Sequence, residues 1–491
     1  MKKSLYLFSI NLSLILSLCL IINNLSQLIL FSIIFNIINI WWISQKIKKR
    51  DSITNFSKII NLLFNFSAII FLYPDLLVND PKLFFYGDEL FIVQAFKLMI
   101  FYQFIVTIIL KLFESLGFGD VDFKNFDFFN KDLIKTVIEI NIFSFILYEL
   151  SGKKILSILS GRASNVYGSF FKVPAYSGST NTFFILFNYF IQFTAVIGSL
   201  YLLNYLFTKL IKGVKVEFLR INISDYYQFI LFFITIIYYI SAFYSDVRVN
   251  LLYVIIPVLI LFSSLIFSSS NVNTKFSLLT IQTTKIITLT LLILVFLLVS
   301  QIQVYRRGGS GATFFKRQGY EFTKTQGIVQ TDRNLYMLSE IIKFSPNNGT
   351  VEGRKRFANI PYQFVPSLIF PNKPRISEDI HRDVENSIIN NFSYKYTNTS
   401  VSFTLLGNFI LAYGKNLGFI LSTVFTIIIS YLNIFILSKF LSSRFYPYIA
   451  VSLLSVYFIL SRSLFYYFTL ISIIIYSLII LLIYTKLRKS I

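Results

Sequence analysis

Apolar runs recur along nearly the whole chain, near 4–23, 25–45, 59–74, 91–112, 133–149, 182–207, 226–244, 250–268, 279–303, 417–438, 446–461 and 464–485. Each has about 17 residues or more, enough for a helix rising ~1.5 Å per residue to cross a hydrocarbon core of ~30 Å. With no water in that core, a crossing segment must satisfy its own backbone N–H and C=O groups, and a helix does so internally. The pattern predicts an all-α polytopic membrane protein with about twelve transmembrane helices. It excludes a water-soluble globular domain, as do 55% hydrophobic and 14% charged residues and a mean hydropathy of +0.68. The first run follows Met1-Lys2-Lys3, lacks a small-residue cleavage site and is followed at once by another, so it reads as a retained helix and not a signal peptide.

The distribution of charge sets an expected orientation. With the N-terminus inside, the inner connections collect twenty Lys/Arg, among them Lys46, Lys48, Lys49, Arg50, Lys111, Lys439, Arg444 and Arg488, while the short outer connections collect seven. Positive residues favour the cytoplasmic side, which predicts both termini there. A net charge of +22 spread in this way describes a membrane topology and gives no reason to expect a nucleic-acid partner. The lone cysteine, Cys19, and the lone histidine, His381, argue against disulfides, thiolate sites and zinc or haem centres, so no metal or cofactor is expected.

Three divisions follow: a membrane domain over 1–303 with a short outer insertion near 151–181, a large outer loop over 304–401, and a return segment with the last three membrane helices over 402–491. The loop carries 14 Lys/Arg against 8 Asp/Glu, a net of +6, which suits an anionic ligand. Arg306 and Arg307 stand at its start before Gly308-Gly309-Ser310-Gly311. Arg333, Arg354, Arg356, Lys373, Arg375 and Arg382 flank its proline-rich core, where Pro361, Pro366, Pro371 and Pro374 forbid a continuous helix. In the outer insertion Arg162 offers a further guanidinium. Asp246 and Arg248 share a very short outer turn, where a structural pair and an active-site role are both open.

Ionisable residues at membrane depth are costly and so draw attention. Lys135 and Glu139, four apart, share a helical face and are expected to neutralise each other. Lys97 and Lys285 are expected to snorkel from near helix ends.

The run Ile360-Pro361-Tyr362-Gln363-Phe364-Val365-Pro366-Ser367-Leu368-Ile369-Phe370-Pro371-Asn372-Lys373-Pro374 resembles the signature in the large periplasmic loop of the O-antigen polymerases, which are oligosaccharide repeat-unit polymerases related to the O-antigen ligases. About 25 residues on, Thr399 to Gly418 is similar to the segment by which that loop returns to the membrane, and Asp246-Val247-Arg248 resembles an arginine-bearing turn at the outer end of a middle span. Phe370-Pro371 stands where the family usually has Trp-Pro.

The resemblance implies a GT-C-like fold in the bacterial inner membrane and a glycosyltransferase without metal or nucleotide sugar. Its substrate would be an undecaprenyl-pyrophosphate-linked glycan, its surroundings the lipid bilayer, with a chain-length regulator as a further partner. It implies Arg248 as the cation at the departing pyrophosphate, helped by Arg162, Arg306, Arg307 or loop arginines, and Asp246 or His381 as the base. An O-antigen ligase shares this architecture. A lipid-linked oligosaccharide flippase shares the span number but would need two similar halves.

Overall fold

The computed structural model describes residues 2–45, 53–71, 73, 89–122, 130–150, 179–210, 225–244, 248–268, 334–345, 347–365, 370, 404–440 and 443–490. Nearly all of them are helical. In chain order the helices are α1 (Lys2–Leu20), α2 (Leu25–Ser44), α3 (Phe56–Phe71), α4 (Glu89–Leu116), α5 (Lys131–Leu150), α6 (Ser179–Leu210), α7 (Asp225–Tyr244) and α8 (Arg248–Ser268). They continue as α9 (Asn334–Phe344), α10 (Val351–Ala358), a 3-10 helix (Ile360–Phe364), α11 (Leu405–Tyr413), α12 (Lys415–Lys439), α13 (Tyr446–Tyr457) and α14 (Leu464–Ser490). Every apolar run of the sequence falls on one of these helices except 279–303, which lies outside the described residues together with Lys285. Within α2, α4, α12 and α14, four stretches are long and apolar enough to cross a membrane: Gln27–Ser44, Leu90–Leu116, Lys415–Lys439 and Leu470–Arg488.

Helix α12 shows why the bundle belongs in an apolar medium. Its buried face carries Ser422, Thr423, Thr426, Ser430 and Asn433, while Leu417, Ile420, Val424, Ile428, Leu432 and Phe435 stand exposed at helical spacing. In water such an inverted helix would present a long apolar stripe to solvent. Against lipid the stripe is matched and the polar face finds partners inside. Thr426 meets the Tyr102 hydroxyl on α4, Ser430 meets the Tyr457 hydroxyl on α13, and Asn433 Nδ2 lies 2.9 Å from the Tyr467 hydroxyl on α14.

A second buried polar set joins α2, α3 and α4. Asn65 Nδ2 donates to Asn61 Oδ1 (3.0 Å) and Thr107 Oγ1 (3.0 Å), and Asn65 Oδ1 accepts from Gln103 Nε2 (2.8 Å) and from Asn39 Nδ2. Gln103 also donates to Asn36 Oδ1 at 3.0 Å and accepts from the Tyr73 hydroxyl. These carboxamides fix how the three helices stand relative to one another.

One end of the bundle, the strand end, is marked by β1 (Ile53–Asn55) paired antiparallel with β2 (Asp120–Asp122), Thr54 opposite Val121. Here Lys111 donates to Ile43 O and Gln45 O, both at 3.0 Å, and Lys58 to Ser44 O at 2.8 Å, so two ammonium groups close the C-terminus of α2. Glu114 pairs with Lys111 at 2.9 Å.

The expected Lys135–Glu139 pair is replaced by longer-range partners. Glu139 accepts from the Tyr484 hydroxyl at 3.0 Å and lies 3.5 Å from Arg488, both on α14, while Lys135 sits 5.6 Å from the centre of the Tyr227 ring. The four-residue spacing put both groups on the correct face, but α14 packs against that face and its arginine takes the carboxylate. Lys97 does snorkel: its Nζ reaches Cys19 O (3.2 Å) and Asn23 Oδ1 (3.3 Å) at the C-terminus of α1.

Candidate functional site

At the opposite end, the loop end, the described part of the expected outer loop is docked on the membrane helices. Its first helix, α9, buries Leu335, Leu338 and Ile341, spaced three apart on one face. Asn334 begins it by donating to Phe71 O (2.9 Å), one of the last carbonyls of α3. Glu340 on the same helix is buried at 4% exposure, and Lys343 at its end lies 5.8 Å from the centre of the Phe91 ring of α4.

The return segment Thr404 to Gly418 folds as a nine-residue buried helix, α11, a turn at Gly414, and the start of α12. Thr404 caps α11 by accepting from Gly407 N at 2.9 Å, and Leu405 N donates to Ser461 O at 3.3 Å. Ser461 in turn meets Ser67 of α3.

At the far end of α11 the last carbonyls are taken by the loop. Ser345 Oγ donates to Ile410 O (3.1 Å), Thr350 N and Oγ1 to Leu411 O (2.7 and 3.0 Å), and Arg354 Nη1 to Ala412 O (3.4 Å) and Asn348 O (2.8 Å). Helix α10 lies so close to α11 that a Cβ added to Gly353 would stand 2.7 Å from Ala412 Cα. Phe357 lies tilted against Phe409, ring centres 4.6 Å apart.

Past α10, Pro361 opens the 3-10 turn, consistent with the kink that prolines impose. Phe364 O accepts from the Tyr476 hydroxyl (2.7 Å) and its ring meets Phe468 edge-on, so the start of the proline-rich core leans on α14.

Of the residues assigned to catalysis or substrate binding from sequence, Arg354 is the one whose side chain is described. It is exposed, and its Nη1 anchors α10 to the end of α11. Arg248 is the first residue of α8, so its backbone opens a helix where the dipole favours anions, and Arg356 lies within α10. Nothing is described of the side chains of these two. Asp246, His381, Arg162, Arg306, Arg307, Arg333, Lys373 and Arg375 lie outside the described residues, as does Arg382. Groups that sequence reasoning passed over at this end are Lys343, Lys415 and Arg462, the last with its guanidinium 5.6 Å from the Phe71 ring centre. The helical spacing of Leu335, Leu338 and Ile341 would have flagged α9 within a segment read as polar.

Arg354→Gln is expected to loosen the docked turn without unfolding the bundle, because it removes hydrogen bonds worth about 1 kcal/mol at an exposed site. Hydrogen exchange across 347–354 should speed up several-fold while the melting temperature stays within about 2 °C of the parent. Unchanged exchange there would show that Arg354 does not hold the turn. Searches of protein-family models, curated proteins and solved structures find no match to this chain.

Proposed function

We propose that this chain polymerises lipid-linked oligosaccharide repeat units in surface polysaccharide synthesis. In this reading it has about twelve spans in a GT-C-like arrangement in the bacterial inner membrane, with both termini cytoplasmic and the loop end periplasmic. What supports the reading is that the described beginning of the proline-rich stretch, 360–365, and the described part of the return stretch, 404–418, both lie at the loop end and are linked through α10. The chain leading into Pro361 is held on the return helix by Thr350 and Arg354, and the turn that starts the proline core rests on α14.

The chemistry is a single glycosyl transfer. The acceptor hydroxyl attacks the anomeric carbon of the carrier-linked glycan, the bond to the pyrophosphate oxygen breaks, and the pyrophosphate leaves with the electron pair. The hydroxyl proton passes to Asp246 or His381. Negative charge grows on the leaving pyrophosphate, so fixed cations there stabilise the transition state more than the ground state. Arg248, at the start of α8, has that role, with Arg162, Arg306, Arg307, Arg333, Arg354, Arg356, Lys373 and Arg375 contacting the phosphates and glycan.

Deleting the gene tests the reading. A surface glycan that stops at one repeat unit supports a polymerase. Accumulated lipid-linked polymer would make the protein a ligase, and lipid-linked units trapped on the inner face would make it a flippase. Purified protein should extend chains in EDTA as fast as without it.

A further inference from the structure

One side of α4 stays half-open along its length. Phe91, Gln94, Lys97, Leu98, Phe101, Ile105 and Ile108 are each partly exposed at helical spacing, and the same face runs on through Leu112 and Leu116, both exposed, towards the strand end. Neighbouring helices flank this strip on both sides. On one side α1 is joined to it by Phe8 against Phe104 (ring centres 6.0 Å) and by Lys97 reaching Cys19 O. On the other, α12 is joined by Lys415 Nζ on Gln94 Oε1 (3.0 Å), Tyr102 on Thr426, and Tyr431 against Phe113 (5.9 Å). The strip is thus the floor of a groove walled by α1 and α12.

Its two halves differ in chemistry. At the loop end three half-buried lysines from three helices gather around the first turns of α4: Lys343 over the Phe91 ring, Lys415 on Gln94, and Lys97 itself. Beyond Lys97 the floor is purely apolar. From Leu98 to Ile108 the helix rises ten steps of ~1.5 Å, about 15 Å, half a hydrocarbon core of ~30 Å.

We propose that this groove binds one anionic phospholipid of the leaflet at the loop end. Its phosphate sits among Lys97, Lys343 and Lys415, and its acyl chains lie along Leu98, Phe101, Ile105 and Ile108 as far as the bilayer middle. Three ammonium groups at one end of the strip favour a lipid whose headgroup is net negative. The site does not depend on the proposed enzymatic activity, and Arg248 lies on a different helix.

The full-length protein, released from membranes into a detergent containing equal amounts of phosphatidylglycerol and phosphatidylethanolamine, should retain one phosphatidylglycerol by native mass spectrometry. The triple variant K97Q/K343Q/K415Q should retain it about tenfold less, each lysine near the surface supplying up to a few-fold in affinity. Should loss of the Lys97 cap on α1 prevent folding, Ile105→Trp, which fills the apolar floor at a half-open position, should give a similar loss with unchanged melting. Equal retention of the two lipids, undiminished phosphatidylglycerol in both variants, or its displacement by equimolar undecaprenyl phosphate would overturn the proposal.

Discussion

Gly414→Val is expected to leave almost no correctly folded protein. Gly414 has φ +81 and ψ 173, a backbone region essentially reserved for glycine. A Cβ there would stand 1.8 Å from Asn347 O and 2.5 Å from Asn347 C. The obstacle is backbone, and it is pinned: Arg354 Nη1 holds Asn348 O and Thr350 holds Leu411 O, on either side of the clash. Relief would require α11 to leave the loop turn or to tilt away from α12, exposing the last carbonyls of a helix inside the bundle. Strain and clash together place the loss beyond ~4 kcal/mol, in the exceptional range for a single substitution. Size-exclusion yield and limited proteolysis of the detergent-purified variant would show it. A monodisperse peak with parental protease resistance would mean that the close contact at Asn347 is not a feature of the folded protein.

The second large effect is expected from Asn65→Leu. Leucine keeps the branched side-chain skeleton of asparagine, although its methyl groups are bulkier than the planar amide, so the change removes every hydrogen bond and adds some packing strain. It removes the acceptor for Gln103 and Asn39 and the donor to Asn61 and Thr107. Side-chain hydrogen bonds between membrane helices average only ~0.6 kcal/mol each. Stranding a buried donor costs more, about 1–3 kcal/mol. Gln103 keeps Asn36 as a partner, whereas Asn39 retains only a 3.4 Å contact with Thr107. The net expectation is about 3 kcal/mol, read as a lower midpoint in an SDS unfolding titration. The double variant Asn65→Leu/Gln103→Leu should lose less than the sum of the singles, because removing both partners strands fewer groups. Strict additivity would show that the carboxamides act independently.

The long helices were legible from the length of apolar runs alone: 91–112 is the centre of α4 and 417–438 the body of α12. What escaped was of two kinds. Helix α11 has only nine residues, too few to register as a crossing segment. Its signs were local, a Thr404 cap and a Gly414 stop, and neither changes mean hydropathy. Partners distant in sequence were hidden as well. Glu139 looked paired with Lys135 by spacing, yet Arg488 comes from the far end of the chain. Of the candidate site, sequence supplied the two motifs, while the anchoring role of Arg354 depends on where Ala412 ends its helix.

The joint between loop and return helix has a consequence for biosynthesis. Its donors Ser345, Thr350 and Arg354 precede their acceptor carbonyls by 65, 61 and 58 residues. At elongation rates of ~5–20 residues per second, the ribosome needs roughly 3–12 s to supply the other half of the joint. During that interval α9 can already dock on α3 and α4, while α10 exists without the helix that holds it. The turn at 345–354 and α10 therefore acquire their native docking late, shortly before α13 and α14 complete the bundle.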